Sequence, residues 1–349
     1  MAYTTINKHT SYFNTKLYTG DGGTNNAQTG VGFRPDYIWF KRRSGSGNHF
    51  AADVVRGTYA SGYKLIVPND QDAEANYTYI KSLDSDGFTL GSNNNNVNGN
   101  SETYVAWNWL AGGSQGSSNT DGSINTTYTS VNTTAGFSIS KYTGTGSAAT
   151  VGHGLGTAPA CYIIKRLDAG SSNWHMYHKS NGATKDIRPN LTNAVFTTDI
   201  FNDTAPTNSV FSIKTSVDVN ASGGTYVAYC FAEKTGYSKF GHYQGNVNAN
   251  GTFVYTGFKP AWILIKNTES TDEWEIYDNK RVGYNSANYH LNNSDATAES
   301  ATSDRIDILS NGFKLRTGSS GPLNNNNKYI YLAFGQSLVG SNNVPCTAR

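Results

Sequence analysis

The chain has 349 residues, a formal net charge of +2 and only 15% charged residues. That balance leaves no basic stripe able to displace counterions from nucleic acid; Lys41-Arg42-Arg43 is the densest positive run. No stretch approaches the roughly 20 apolar residues of a membrane-spanning helix, and Met1 to Thr4 leads straight into polar residues, so neither membrane insertion nor a leader is expected.

Taken in chain order, the signals are those of strands and turns, written three times. The first unit, 1–111, carries Tyr18-x-Gly20, then Gly32-Phe33-Arg34-Pro35 and an apolar run ending in Lys41, and closes with Tyr104-Val105-Ala106-Trp107. A Gly/Ser/Thr-rich stretch, 112–135, reads as a flexible linker whose polar second half, Thr126 to Thr134, is free to wrap on a neighbour. The second unit, 136–236, repeats the order with Tyr142-x-Gly144, Pro159, Lys165 and Tyr226-Val227-Ala228-Tyr229. The third, 237–349 with a short C-terminal tail, has Tyr243-x-Gly245, Pro260, Lys266 and Tyr329-Ile330-Tyr331-Leu332. In every copy the Gly precedes the Pro by fifteen residues and the Pro precedes the Lys by six. A unit copied at fixed spacing favours binding or assembly over one catalytic site. Helical periodicity is nearly absent, whereas Gly87-Phe88-Thr89-Leu90, Val210-Phe211-Ser212-Ile213 and Gly312-Phe313-Lys314-Leu315 alternate with period two. The expected fold is all-β, with three tandem β-sandwich domains of jelly-roll or lectin-like kind. Units two and three, joined directly through 232–237, are expected to pack rigidly, and unit one to hinge.

Few residues suggest chemistry. An aromatic follows each motif lysine by eight or nine residues: Phe50, Trp174 and Trp274. Asp53-x-x-Arg56 and Asp278-x-x-Arg281 come soon after, while unit two has Tyr177-His178 where the Asp should stand. Repetition favours core aromatics with an Asp–Arg pair bracing a turn; the alternative is an exposed Trp stacking on a sugar. The three lysines are expected to end their strands by snorkelling to the surface. Asp84-Ser85-Asp86-Gly87 lacks the closing Glu of a calcium loop and reads as a tight turn. His153-Gly154-Leu155-Gly156 precedes no helix and is no phosphate loop. His175 and His178 have no third ligand nearby for zinc. The asparagine runs Asn93, Asn94, Asn95, Asn96 and Asn324, Asn325, Asn326, Asn327 read as loop tips, with contact to a glycan or a neighbouring subunit as the functional alternative. Cys161, Cys230 and Cys346 form no framework; buried free thiols are expected at Cys161 and Cys230, and Cys346 reads as incidental. No Ser-His-Asp order and no convincing carboxylate pair is present, and Glu273 and Glu275 are scattered acids, so no enzyme, cofactor or metal is expected. The copies differ at the Asn tips, at Arg42-Arg43 and at the His175/His178 loop, and function is expected where they differ.

The stretch Thr133-Thr134-Ala135-Gly136-Phe137 through Lys141-Tyr142-Thr143-Gly144 to Thr157-Ala158-Pro159 resembles a tandem module of virion proteins from marine tailed bacteriophages, including those of cyanobacteria. The Gly-Phe-x-Pro and Tyr-Val-Ala-Trp-x-Trp elements of unit one look like the same module, and the likeness runs from about 12 to 340. Unit two departs from it by lacking the Phe before Pro159 and the Asp-x-x-Arg pair. The resemblance implies a lectin-like virion component, assembled in the host cytoplasm and exposed on the particle, with other virion proteins and a host-surface glycan as partners. It implies a homo-oligomer, with a trimer among the options. A tail fibre or appendage is the leading expectation, a capsid decoration or head fibre the alternative, and a polysaccharide depolymerase the third. Candidate binding residues are the two asparagine runs with Trp174, His175, His178 and Trp274.

Overall fold

The computed structural model describes residues 4–59, 62–281, 285, 288–300, 305–318 and 322–339. Among these the chain is all-β; its one α-helix is the single turn Val217–Asn220. Unit one contains β1 (Phe13–Thr19), β2 (Asn26–Thr29), β3 (Tyr37–Arg42), β4 (Phe50–Asp53), β5 (Ile80–Asp84), β6 (Gly87–Leu90) and β7 (Thr103–Trp109). Unit two contains β8 (Tyr128–Asn132), β9 (Phe137–Thr143), β10 (Ala149–Gly152), β11 (Cys161–Arg166), β12 (Trp174–His178), β13 (Val210–Ile213) and β14 (Thr225–Phe231). Unit three contains β15 (Ser238–Gln244), β16 (Phe253–Tyr255), β17 (Phe258–Asn267), β18 (Glu275–Asp278), β19 (Leu291–Asn292), β20 (Ile306–Leu309), β21 (Gly312–Leu315) and β22 (Lys328–Ser337). The large antiparallel sheets run β1-β7-β3-β4, β8-β9-β14-β11-β12 and β15-β22-β17-β18-β19. Each unit adds a small sheet: β2-β6-β5, β10-β13 and β16-β21-β20.

The large-sheet strands are apolar on both faces, which decides the architecture. Along β14, Val227, Tyr229 and Phe231 face one hydrophobic cluster, and Tyr226, Ala228 and Cys230 face another. Along β22, Ile330, Leu332 and Phe334 share the first cluster, while Tyr329, Tyr331 and Ala333 face a third. The outward faces meet the small sheets through aromatic contacts, Phe40 on Phe88, Tyr162 on Phe211 and Tyr331 on Phe313. The inward faces of all three units meet one another, with Trp39, Trp107, Trp109, Trp174, Trp262 and Phe334 in one cluster. At its centre lies a cavity of about 40 Å³ lined almost wholly by apolar side chains, room for little more than water. Cys161 and Cys230 are free and buried, on opposite faces of their sheet; Cys346 lies outside the described residues.

The shared core alters the expected organisation. Residues 112–135 do not behave as a free linker: Gly113 donates to Asp36 at 2.6 Å, Gln115 to the Val55 carbonyl, and β8 pairs with β9 along its length. Unit one is tied to both neighbours, so the hinge read from linker composition has no room to act.

The repeated tyrosines and glycines are scaffold. Tyr18 stacks on Tyr104, Tyr142 on Tyr226 and Tyr243 on Tyr329, with ring centroids 5.1, 5.1 and 4.9 Å apart. The first hydroxyl of each pair donates to the carbonyl of Val97, Val219 or Leu323, just before the buried Asn98, Asn220 and Asn324. The Gly two residues on lies against that turn: a Cβ on Gly20, Gly144 or Gly245 would sit 2.2, 2.4 or 1.9 Å from a backbone oxygen. Gly245→Ala is therefore expected to destabilise the protein by about 1–3 kcal/mol through overpacking, read as a lower midpoint in urea. An unchanged midpoint would refute the steric account.

Candidate functional site

The motif lysines are buried, not snorkelling. Lys41, Lys165 and Lys266 have no exposed surface, and each ammonium binds main-chain carbonyls of two units. Lys41 Nζ donates to Gly47 O and to Ala296 O of unit three; Lys165 Nζ to Ser172 O and to Gln71 O of unit one; Lys266 Nζ to Asp272 O and to Thr192 O of unit two. Burial lowers each pKa to about 8. A cation that finds carbonyls at the end of an apolar strand has no reason to reach water.

Trp174 and Trp274 do the same with their indoles. Trp174 Nε1 donates to Val67 O and Asp70 O of unit one, and Trp274 Nε1 to Arg188 O and Leu191 O of unit two. In unit one the register Phe40↔Phe50 sets His49, not Phe50, opposite the lysine. His49 accepts from Trp39 Nε1 and reaches Asn292 O of unit three at 2.9 Å. Unit one thus covers the lysine of unit two, unit two that of unit three, and unit three that of unit one. The contacts close a ring with approximate threefold order.

The Asp–Arg pairs belong to the same ring. Asp53 binds Arg56 at 2.5 Å and accepts from Tyr229 Oη of unit two; Asp278 binds Arg281 at 2.6 Å and accepts from Trp107 Nε1 of unit one. The equivalent position in unit two is His178, facing unit three, where Leu332 stands in place of Tyr229 or Trp107. A carboxylate there would have no side-chain donor from the neighbouring unit and no guanidinium, since Asn181 stands where Arg56 or Arg281 does. The imidazole instead takes an N–H from Ser180 on Nδ1, and its Nε2 lies 3.4 Å from Tyr331 O. The departure of unit two from Asp goes with Leu332 and Asn181, which supply neither the inter-unit donor nor the guanidinium. His178→Asp is expected to cost about 3–5 kcal/mol as an uncompensated buried charge, measurable by denaturant unfolding; near-neutral behaviour would contradict this pairing.

Several candidate residues are therefore interior. Trp174, Trp274, His175 and His178 are buried, so they form no surface for a sugar. His175 is held by Asp186 at 2.7 Å and faces Asp218. Arg43 grips Glu299 of unit three with two nitrogens, and Arg42 pairs with Glu102. Of the Asn runs, Asn93, Asn95 and Asn326 are exposed, Asn94, Asn96, Asn325 and Asn327 half-buried, and Asn324 fully buried as an anchor. Among the described residues no group of three or more His, Cys, Asp and Glu side chains is placed to hold a metal ion.

One open surface was not singled out by sequence. A groove of about 600 Å³ lies between β15 and β16, walled by Phe253, Val254, Tyr255 and Tyr331, with Phe253 45% and Tyr255 50% exposed. Lys239 Nζ binds Tyr255 O at 2.9 Å and Lys179 pairs with Glu233 at 2.6 Å, so its charged side chains are largely spent on the groove's own walls. The signal was available: opposite Phe88, Phe211 and Phe313 stand Gln28, Val151 and Val254, and only in unit three is that residue flanked by two exposed rings.

No curated protein and no solved structure matches the chain. The model of a family described as a domain of unknown function, DUF7483, matches residues 8–337, and with nearly the whole repeat array inside that match the chain belongs to this family.

Proposed function

We propose that the chain is a non-enzymatic bacteriophage virion protein, three β-sandwich units closed on one another, that serves in a tail fibre or appendage and contacts host-surface glycan through its Asn-rich tips. The observation that carries this reading is the tip geometry. Exposed carboxamides at Asn93, Asn95 and Asn326 stand on turns clamped by buried Asn98 and Asn324 and by stacked tyrosines. Carboxamides both donate and accept, as sugar hydroxyls require, and a rigid base reduces the ordering entropy lost on binding. The combined change Asn93→Ala, Asn95→Ala and Asn326→Ala is expected to weaken binding to host envelope polysaccharide at least tenfold without moving the thermal midpoint. Full binding by that variant, or no polysaccharide binding by the parent, would end the adhesion reading.

A second reading, an architectural component of the capsid or neck, is favoured by the open groove on unit three, which suits a neighbouring subunit. Immunogold labelling of intact particles separates the two by position.

A further inference from the structure

Unit two shows what the groove of unit three is shaped to receive. Its sheet edges β9 and β10 are covered by the chain itself. β8 pairs with β9 in the register Tyr128↔Lys141, Ser130↔Ile139, Asn132↔Phe137. Ahead of it, Ile124 bridges to Val151 of β10, donates its N–H to Thr150 O and buries its side chain between the sheets. Residues 112–135 are long enough to do this. The corresponding connection before unit three, 232–237, forms only a tight turn into β15 and has no chain to spare.

The equivalent edges in unit three, β15 and β16, each end their sheet with no covering strand among the described residues. Val254 stands where Val151 does, and beside it Phe253 and Tyr255 remain exposed. In unit one the matching edge is also terminal, but carries Ala27, Gln28 and Thr29, with Gln28 bonded to Asn26. An uncovered edge is tolerable there because it is polar; the apolar edge of unit three is the kind that natural proteins otherwise protect. Alternation along β15 turns the main-chain groups of Phe240 and His242 to the open side. The Phe240 N–H is held by the Glu233 carboxylate at 2.9 Å, itself paired with Lys179, a side-chain stand-in for the carbonyl of a missing strand.

We propose that the β15–β16 groove accepts an extended strand of a partner polypeptide, polar and uncharged with one aliphatic β-branched side chain facing inward, which pairs with β15 as β8 pairs with β9. Main-chain bonds along β15 supply affinity and the Val254 wall selects the inward side chain. A glycan is the less suitable occupant, because Lys239, Lys179 and Glu233 are already engaged with the groove itself.

The test uses the full chain and a synthetic peptide of its own residues 122–134 as the probe. Calorimetry is expected to show saturable binding, and amide exchange at His242 is expected to slow. Phe253→Ala with Tyr255→Thr copies the polar edge of unit one at two exposed positions and is expected to weaken binding at least tenfold at an unchanged thermal midpoint. His242→Pro removes an outward N–H and is expected to act likewise. Absence of peptide binding to the parent, equal binding by the double variant, or displacement of the peptide by host oligosaccharide would overturn the proposal. Adhesion through the Asn tips is untouched by either substitution, so the two readings fail separately.

Discussion

Trp274→Ala is expected to destabilise the protein by about 3–5 kcal/mol, the usual range for truncating a buried tryptophan. The side chain has no exposed surface, packs in the common core and donates to Arg188 and Leu191 of the preceding unit. Truncation removes that packing and also takes the indole donor away from Leu191 O, while Arg188 O keeps the Leu191 N–H. Trp274→Phe keeps most of the ring and loses only the N–H, and is expected to cost about 1 kcal/mol. The cyclic interlock makes the loss global: calorimetry should show one transition moving down as a whole. A variant in which unit three melts early while the rest keeps its parental midpoint would show that the shared core does not couple the units.

Acidification is the second large effect. His49 and His178 each accept a hydrogen bond on Nδ1 and have Nε2 within bonding distance of a carbonyl of another unit, an arrangement that only the neutral ring with its proton on Nε2 satisfies. Burial pushes His49 well below its ordinary value and holds His178 and His290 at about 3. With native pKa values depressed, the unfolded chain takes up protons below about 6.5 that the native chain refuses. Their contribution is fully present above that pH and is lost as pH falls toward 3, at about 1.4 kcal/mol per pH unit for each ring. His175, raised by Asp186, works in the opposite direction. Unfolding midpoints should fall steeply from pH 6.5 to 4.5, and His178→Gln should make that slope shallower by one ring's share. A slope identical to the parent's would show that His178 is not buried as a neutral ring.

The all-β class was legible because period-two runs such as Gly87-Phe88-Thr89-Leu90 became strands of a small sheet. The scaffold role of the repeated Tyr and Gly was legible too, since a side chain recurring at one spacing in every copy serves what every copy shares. The core reading of the tryptophans holds, while the surface lysines, the linker and the candidate binding role of the Trp and His residues were misjudged for one reason. Each is polar or amphipathic, and sequence says nothing of the partner that meets it. Lys165 needs Gln71 O, more than ninety residues away, before burial becomes tolerable. Even the equivalence of Phe50 with the two tryptophans was off by one, because loop length between strands, not spacing along the chain, sets the register.

By itself the sequence determined that there are three copies, that they are built of strands, and which glycines and tyrosines each needs, because these follow from local backbone sterics and alternation. Only the tertiary structure decided that the copies share one interior. Strands apolar on both faces must bury both, and the small sheets of a unit cover one face. The other face is covered by the remaining two copies. That closure turns lysines, indoles and Asp–Arg pairs into fasteners.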